Sequence, residues 1–366
     1  MSAEAGRRAA LSEAVAEAGL DRLLVNDELD LRWLTGFTGT SGAALCPAPP
    51  GEAGDFITDF RYVEQAAEQL GTGWEIARAR KELLGEGLAE ATGDKNLGRF
   101  GFDPRSLTVA QLAALSEALA GRAQLVEAPG LVDELRAVKD DREIERIQAA
   151  SALADQALTS VLERGIVSRT EREIAVDLEI AMIGLGAERL SFPPIVASGA
   201  HGALPHAEPR DVAIPGNCLV TIDWGAQLDG YCSDCTRTYA TGPVGDRELE
   251  AYEAVNRARG AAIEAIRPGP SGREIDAVAR KIMDEAGLGE EFGHGLGHGV
   301  GLDVHEEPRL SPRGSSQPLA AGMVVTVEPG AYVAGSFGIR IEDLVVITQD
   351  GNRVLTGLDR ELQTVD

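Results

Sequence analysis

The sequence predicts a mixed α/β protein of two domains: an α/β layer over residues 1–130 and a larger α+β domain over 131–366 that repeats internally. Three observations carry this. The chain has 366 residues, more than one ordinary core organises, so two domains are expected. Short strand patterns alternate with helical patterns in the first third. In the remainder, two helix-opening motifs recur 101 residues apart, each followed by strands bearing acids.

In the first domain, residues 1–20 read as an amphipathic helix without the apolar run of a signal peptide. The segments 20–26, 43–46, 55–60 and 97–103 read as strands, and 61–70, 80–92 and 108–121 as helices. Between Cys46 and Gly54, three prolines and two glycines mark a loop. The run GFTGTSG at 36–42 lacks the lysine of a phosphate loop and the serine spacing of a nucleophile elbow. Asp59 and Arg61 read as a surface ion pair. No histidine precedes residue 201, and no catalytic constellation is visible in this domain. The boundary falls near Pro129-Gly130, ahead of the charged helical run that begins at Lys139.

The second domain opens one helix with Thr170-Glu171-Arg172-Glu173-Ile174 and another with Ser271-Gly272-Arg273-Glu274-Ile275, both capping boxes. Strand acids follow 53 and 57 residues later, at Asp223 and Glu328, and a second pair follows at offsets of 11 and 14, at Asp234 and Glu342. A pseudo-two-fold domain would bring the two pairs together. The stretch Leu219–Tyr239 reads as a hairpin closed at Asp229-Gly230. With Leu228 opposite Tyr231, Asp234 falls opposite Gly225, and Asp223 and Asp234 become diagonal neighbours about 7–8 Å apart at the backbone. Taken alone, such a pair is equally a solvated sheet face or a cation site, since two buried carboxylates repel unless a cation lies between them.

All five histidines lie between 201 and 305. In GHGLGHGVGLDVHEEP, glycines alternate with other residues, so an extended chain puts His294 and His298 on one face and bare backbone on the other. His305 follows an odd step and reaches in from another direction. In the last strands Arg340 shares a side with Glu342, whereas Asp343 faces away. The inward set is therefore Asp223, Asp234, His298, Glu328 and Glu342. Four carboxylates and one imidazole hold too many oxygens for a structural zinc and suit two divalent ions, Mn²⁺ ahead of Zn²⁺. Two such ions can share and acidify a water. Cys232 and Cys235 form no zinc ribbon, because Cys46 and Cys218 supply no second pair.

Composition narrows the partners. Lys and Arg number 34 against 59 acids, a formal charge of −25 with no basic block, which argues against nucleic acid and anionic membrane surfaces. No apolar run reaches the length of a membrane span. Four cysteines are too few for a disulfide framework, so the cytoplasm is the expected compartment.

In order, Asp223 and Asp234, the GHGLGHGVGLDVHE segment, TVEPG and GIRIED resemble the metallopeptidases of the creatinase/prolidase/methionine aminopeptidase family, with its pita-bread fold, over roughly residues 190–345. LRWLTGFTGTSG and ITDFRY resemble the creatinase-type N-terminal domain of the same family. The combination points to its Xaa-Pro branch. The resemblance implies an enzyme that hydrolyses the bond before proline with a dinuclear Mn²⁺ or Co²⁺ centre held by the five residues above. The favoured activity is Xaa-Pro dipeptidase (prolidase), acting on small peptides with proline second. Aminopeptidase P, acting on longer peptides, is the alternative, and a non-catalytic binding relative is the rival from another class.

The resemblance also implies that Glu328 shuttles the proton of the nucleophilic water. His206 and His305 match residues that contact substrate and oxyanion, and His294 one that lines the proline pocket. Arg340 matches one that holds substrate or orders a metal-binding carboxylate. A homodimer is implied likewise. His201 matches no functional position and reads as structural. SGAHG and TDFRY depart from the family's usual runs and bear on specificity, not on the metal chemistry.

Overall fold

The computed structural model describes residues 2–366. The chain divides into two units, Met1–Arg136 and Ala137–Asp366. In the first, six strands form one mixed sheet in the order Trp74–Arg78, Gly54–Thr58, Gly42–Pro47, Arg22–Val25, Gly98–Phe102, Ala123–Glu127. The four inner strands are the ones the sequence predicts. The two outer strands were not legible, because most of their side chains are half or wholly exposed and form no apolar run. The pattern at 80–92 is not a single helix: Leu84 and Gly85 leave helical angles, Gly85 at φ 102, and only Leu88–Thr92 is α-helical.

The second unit is built twice. Helices Asp141–Leu162 and Glu171–Gly184 cover the first half, and Asp246–Ala265 and Gly272–Glu285 the second. Both expected capping boxes form, Thr170 with Glu173 and Ser271 with Glu274. Each half has its own apolar core. In one, Leu158, Ile174, Leu178, Ile222 and Trp224 pack together, and the Trp224 indole donates to the Ala154 carbonyl at 2.9 Å. In the other, Val255, Ile275, Met283, Val325 and Val345 do the same.

Each half contributes one long hairpin that breaks midway. In the first, Leu219–Trp224 pairs with Cys235–Ala240, and Ala226–Leu228 with Tyr231–Cys232. The register is the same on both sides of the break, with Trp224 opposite Cys235 and Leu228 opposite Tyr231, so Asp234 does stand opposite Gly225. The turn places Asp229 and Gly230 at φ 49 and 83, the left-handed pair a two-residue hairpin requires. In the second, Val324–Val327 pairs with Asp343–Ile347, and Gly330–Val333 with Phe337–Arg340. Its register also carries through, which sets Glu328 opposite Glu342.

Two readings are thereby corrected. Residues 336–348 form two strands and not one, with Glu342 in the break. The residue equivalent to Glu328 is Gly225 rather than Asp223, so the return-strand acids match across the repeat while the outgoing acids are two positions out of step.

Candidate active site

The breaks in the two hairpins position the acids. A residue at a break is released from the sheet ladder, and Asp234, Glu328 and Glu342 all occupy such positions. One cavity of about 570 Å³ is lined by all nine residues singled out from the sequence: Asp223, Asp234, His298, Glu328, Glu342, His206, His294, His305 and Arg340. Oxygens of Asp223, Asp234 and Glu342 lie within 4.8 Å of one another. The Glu328 Oε1 is 3.2 Å from His298 Nε2, and the Asp234 Oδ2 is 3.7 Å from the same nitrogen.

The His298 strand is shorter than expected, only Gly297–Gly299. Gly297 is required there, because a Cβ would collide with the Thr326 carbonyl of the neighbouring strand. Thr326 in turn donates to Glu328 at 3.2 Å, and Thr236 donates to Glu342 at 2.8 Å.

The electrostatics of this cluster are those of a site built for cations. Burial, then the neighbouring carboxylates, push Asp234 and Glu342 well above the usual carboxylate range. Burial also raises Asp223, against the pull of Arg340. Glu328 goes the other way: burial opposes its ionisation, but the hydrogen bond and charge of His298 hold it low.

Two buried oxygens, Asp223 Oδ1 and Glu342 Oε1, have no hydrogen-bond partner, a costly state for a polar atom. The His298 Nδ1 lies 3.1 Å from the Gly299 carbonyl, which can only accept, so this nitrogen carries the proton. The other ring nitrogen, Nε2, is thereby turned on the Glu328 and Asp234 carboxylates, the direction in which a cation shared with them would be bound. The orphaned oxygens, the crowded acids and this imidazole orientation together fit divalent metal: Asp223, Asp234 and Glu342 bring their oxygens close enough to share an ion, and His298 and Glu328 line the same cavity.

Around the cluster, every nitrogen of the Arg340 guanidinium is engaged. It reaches Asp223 at 2.6 Å, the Tyr332 hydroxyl at 2.8 Å, Thr236 at 3.0 Å and the Pro205 carbonyl at 3.2 Å. His294 sits between the Gly295 carbonyl at 2.7 Å and the Tyr332 hydroxyl at 2.9 Å. Both of its ring nitrogens are therefore occupied, and burial holds the ring neutral by lowering its pKa. Burial, then the charge of His298, also lowers His305, whose ring centroid lies 4.3 Å from that of His298. His201 is elsewhere, bonded to Glu171 at 3.0 Å.

Tyr332 and Arg309 escaped the sequence reading. Closing the second hairpin at Gly335 would have found Tyr332, since it stands opposite Gly338, one strand turn from Arg340. Arg309 lines the cavity, and its guanidinium has no hydrogen-bond or ion-pair partner among the described residues. The thiols of Cys232 and Cys235 are buried and free, bonded to the Leu302 and Glu342 carbonyls, and take no part in the site.

The two-fold α/β architecture and its acid-lined cavity define a metallopeptidase. The profile of Metallopeptidase family M24 matches residues 145–349, and that of the Creatinase/Prolidase N-terminal domain matches residues 7–138. The chain belongs to the M24 metallopeptidase family. It is 43% identical over 232 residues to the Xaa-Pro dipeptidase of Pyrococcus furiosus, covering 63% of this chain and 66% of that one. Among solved structures, a Xaa-Pro dipeptidase from Bacillus anthracis superposes with a TM-score of 0.93 at 39% identity, covering 99% of each chain. The X-Pro aminopeptidase of Thermotoga maritima superposes with a TM-score of 0.86 at 34% identity, covering 96% of this chain and 100% of that one.

Proposed function

We propose that this chain is a Xaa-Pro dipeptidase, hydrolysing the peptide bond before a C-terminal proline with the help of two divalent ions. One observation carries the reading: a single cavity holds a buried cluster of under-satisfied carboxylates and, on its wall, the unpartnered Arg309 guanidinium. Ions held by Asp223, Asp234, His298, Glu328 and Glu342 would acidify a water and polarise the scissile carbonyl.

Glu328, kept ionised beside His298, accepts the proton of the attacking water and passes it to the leaving proline nitrogen. His206 and His305 donate to the oxygen on which charge develops. His294, both nitrogens engaged, offers only its ring surface, which suits the pyrrolidine. Arg309 takes the carboxylate that a dipeptide presents immediately after the scissile bond. Arg340, each of its nitrogens engaged within the protein, orders Asp223.

The oxygen-rich donor set favours Mn²⁺, with Co²⁺ or Zn²⁺ as competitors. Four free thiols and no disulfide fit a reducing cytoplasm, and no helix is long and apolar enough to cross a membrane. The family resemblance supports a homodimer. The named residues all fall within 131–366, which supports reading that span as the catalytic domain and 1–130 as the creatinase-type N-terminal one.

The likeness to an aminopeptidase supports a second reading, in which longer Xaa-Pro-Xaa peptides are the substrates. Hydrolysis of Ala-Pro and of Ala-Pro-Ala, side by side in Mn²⁺ after chelation, separates the two, with Glu328→Gln as the blank. Metal-dependent cleavage of Ala-Pro with little of the tripeptide is expected, and Arg309→Met should raise KM for Ala-Pro roughly 10- to 100-fold. The reverse preference would make the enzyme an aminopeptidase P. Binding of metal without cleavage of either peptide would defeat the Xaa-Pro reading and favour a binding protein.

A further inference from the structure

We propose that Glu171 is a positioning residue that holds His206 in the cavity wall by clamping both ends of the loop that carries it. Glu171 opens the helix Glu171–Gly184 and its side chain is wholly buried, outside the cavity. Its carboxylate receives six hydrogen bonds. Three come from the start of the loop: the Ser198 amide at 2.9 Å, the Ser198 hydroxyl at 2.8 Å and His201 Nδ1 at 3.0 Å. Three come from its end, the amide, Nε and Nη2 of Arg210, at 3.1, 3.0 and 3.0 Å.

One buried group thus ties both ends of the segment 198–210, beside the Ser198 strand pairing and the bond from the Arg172 amide to the Arg210 carbonyl at 3.1 Å. That segment supplies Pro205, His206, Ala207, Glu208 and Pro209 to the cavity wall. Between the two anchored ends the loop touches the second hairpin twice. The Pro205 carbonyl accepts from Arg340 at 3.2 Å, and Gly202 lies so close to Gly338 that a Cβ on the latter would overlap the Gly202 carbonyl.

His206 comes directly after the Pro205 tie, and its placement beyond that point depends on the anchor at Arg210. A helix of the first half therefore sets the position of a histidine that lines one cavity with acids from both halves. Loss of the clamp leaves the acids where they are and lets the imidazole wander, and a displacement of about 1 Å costs up to roughly 100-fold in rate.

The test has two arms. In the metal-free protein, hydrogen exchange is compared for wild type, Glu171→Gln and Arg210→Ala. The second variant removes a half-exposed side chain and, with it, two of the three bonds at one end of the loop, leaving the other end intact. Faster exchange confined to 199–210, with the hairpins at 219–240 and 324–347 unchanged, is expected, and unchanged exchange in the loop overturns the proposal.

The second arm rests on the Xaa-Pro reading. Glu171→Gln should lower kcat/KM for Ala-Pro by roughly 10- to 100-fold, with the loss falling mainly on kcat. In a His206→Ala background the same change should cost less than about 3-fold, because Glu171 acts through that ring. Losses that multiply in the double variant overturn the proposal. If wild type cleaves no Xaa-Pro peptide, the functional reading fails and the exchange arm alone decides the clamp.

Discussion

Glu342 and Asp343 are adjacent in the chain, equally buried, and opposite in everything else. Asp343 faces away from the cavity into three arginines: Arg237 at 2.8 Å, Arg259 at 2.5 Å and Arg360 at 3.1 Å, with the Thr356 hydroxyl at 2.6 Å. Burial opposes its ionisation, but the arginines outweigh burial and hold its pKa below the ordinary value. Glu342 has one hydroxyl donor, the Thr236 side chain, and one oxygen with no partner at all. Burial and neighbouring acids push it up. Glu342 stands in the break and Asp343 opens the next strand, and the register carried across the break turns the two side chains to opposite sides. An acid whose charge the protein neutralises is part of the fold. An acid left without cations, in a group of such acids, is part of a site.

The comparison predicts opposite responses to the same substitution. Asp343→Asn removes the charge that three buried or half-buried guanidinium groups share, and breaking a buried pair from one side costs about 3–5 kcal/mol. Urea unfolding of the metal-free protein should show a loss of that size at neutral pH. A loss under about 1 kcal/mol would mean that the arginines find other partners and that Asp343 is no more a structural anchor than Glu342.

This opposition was readable in the sequence, since simple alternation along 336–348 puts Asp343 on the far face from Arg340 and Glu342, and the break at Glu342 keeps that register. The three arginines were not readable. Arg237, Arg259 and Arg360 come from a strand, a helix and the C-terminal segment, and nothing local joins them. The same limit explains the rest. The first hairpin could be folded on paper because Asp229-Gly230 fixes its register, and both its acids then fell into place. The second has a three-residue turn at Ala334–Ser336, without so strong a signal, so Tyr332 and the pairing of Glu328 with Glu342 were missed. The edge strands of the first sheet and the break at Gly85 left no periodic signature.

Glu171 is a second acid of the satisfied kind, and it gives the comparison a pH dependence. Burial would raise its pKa, yet its bonds to Arg210 and Ser198 bring it down to about 2 from an ordinary 4.5. A depressed acid contributes stability that is complete above its unfolded pKa and lost as pH falls through the folded one. The window is therefore pH 4.5 down to about 2. A shift of this size corresponds to about 2–3 kcal/mol once the exposure of Arg210 is discounted. Glu171→Gln should be less stable than wild type by that amount at pH 6, and the gap should narrow below pH 4.5 and close as pH falls to about 2. A gap that stays constant with pH would mean that the loss is one of packing, not of charge.

Glu342→Gln is expected to have the smallest effect on stability and the most informative sign. In the metal-free protein it replaces a buried acid with an orphaned oxygen by a neutral amide of the same shape. The variant should therefore unfold at equal or slightly higher urea, by up to about 1 kcal/mol. Added Mn²⁺ should reverse the order. Wild type gains about 2.7 kcal/mol when the ion stands at 100 times its Kd, because only the folded state assembles the ligands, while the variant, lacking one charged ligand, binds more weakly and gains less. The two curves should cross as Mn²⁺ is titrated, with wild type the less stable protein at the start and the more stable at the end. If Glu342→Gln behaves like Asp343→Asn, losing stability with or without metal, then Glu342 belongs to the fold and the contrast between the two neighbours collapses.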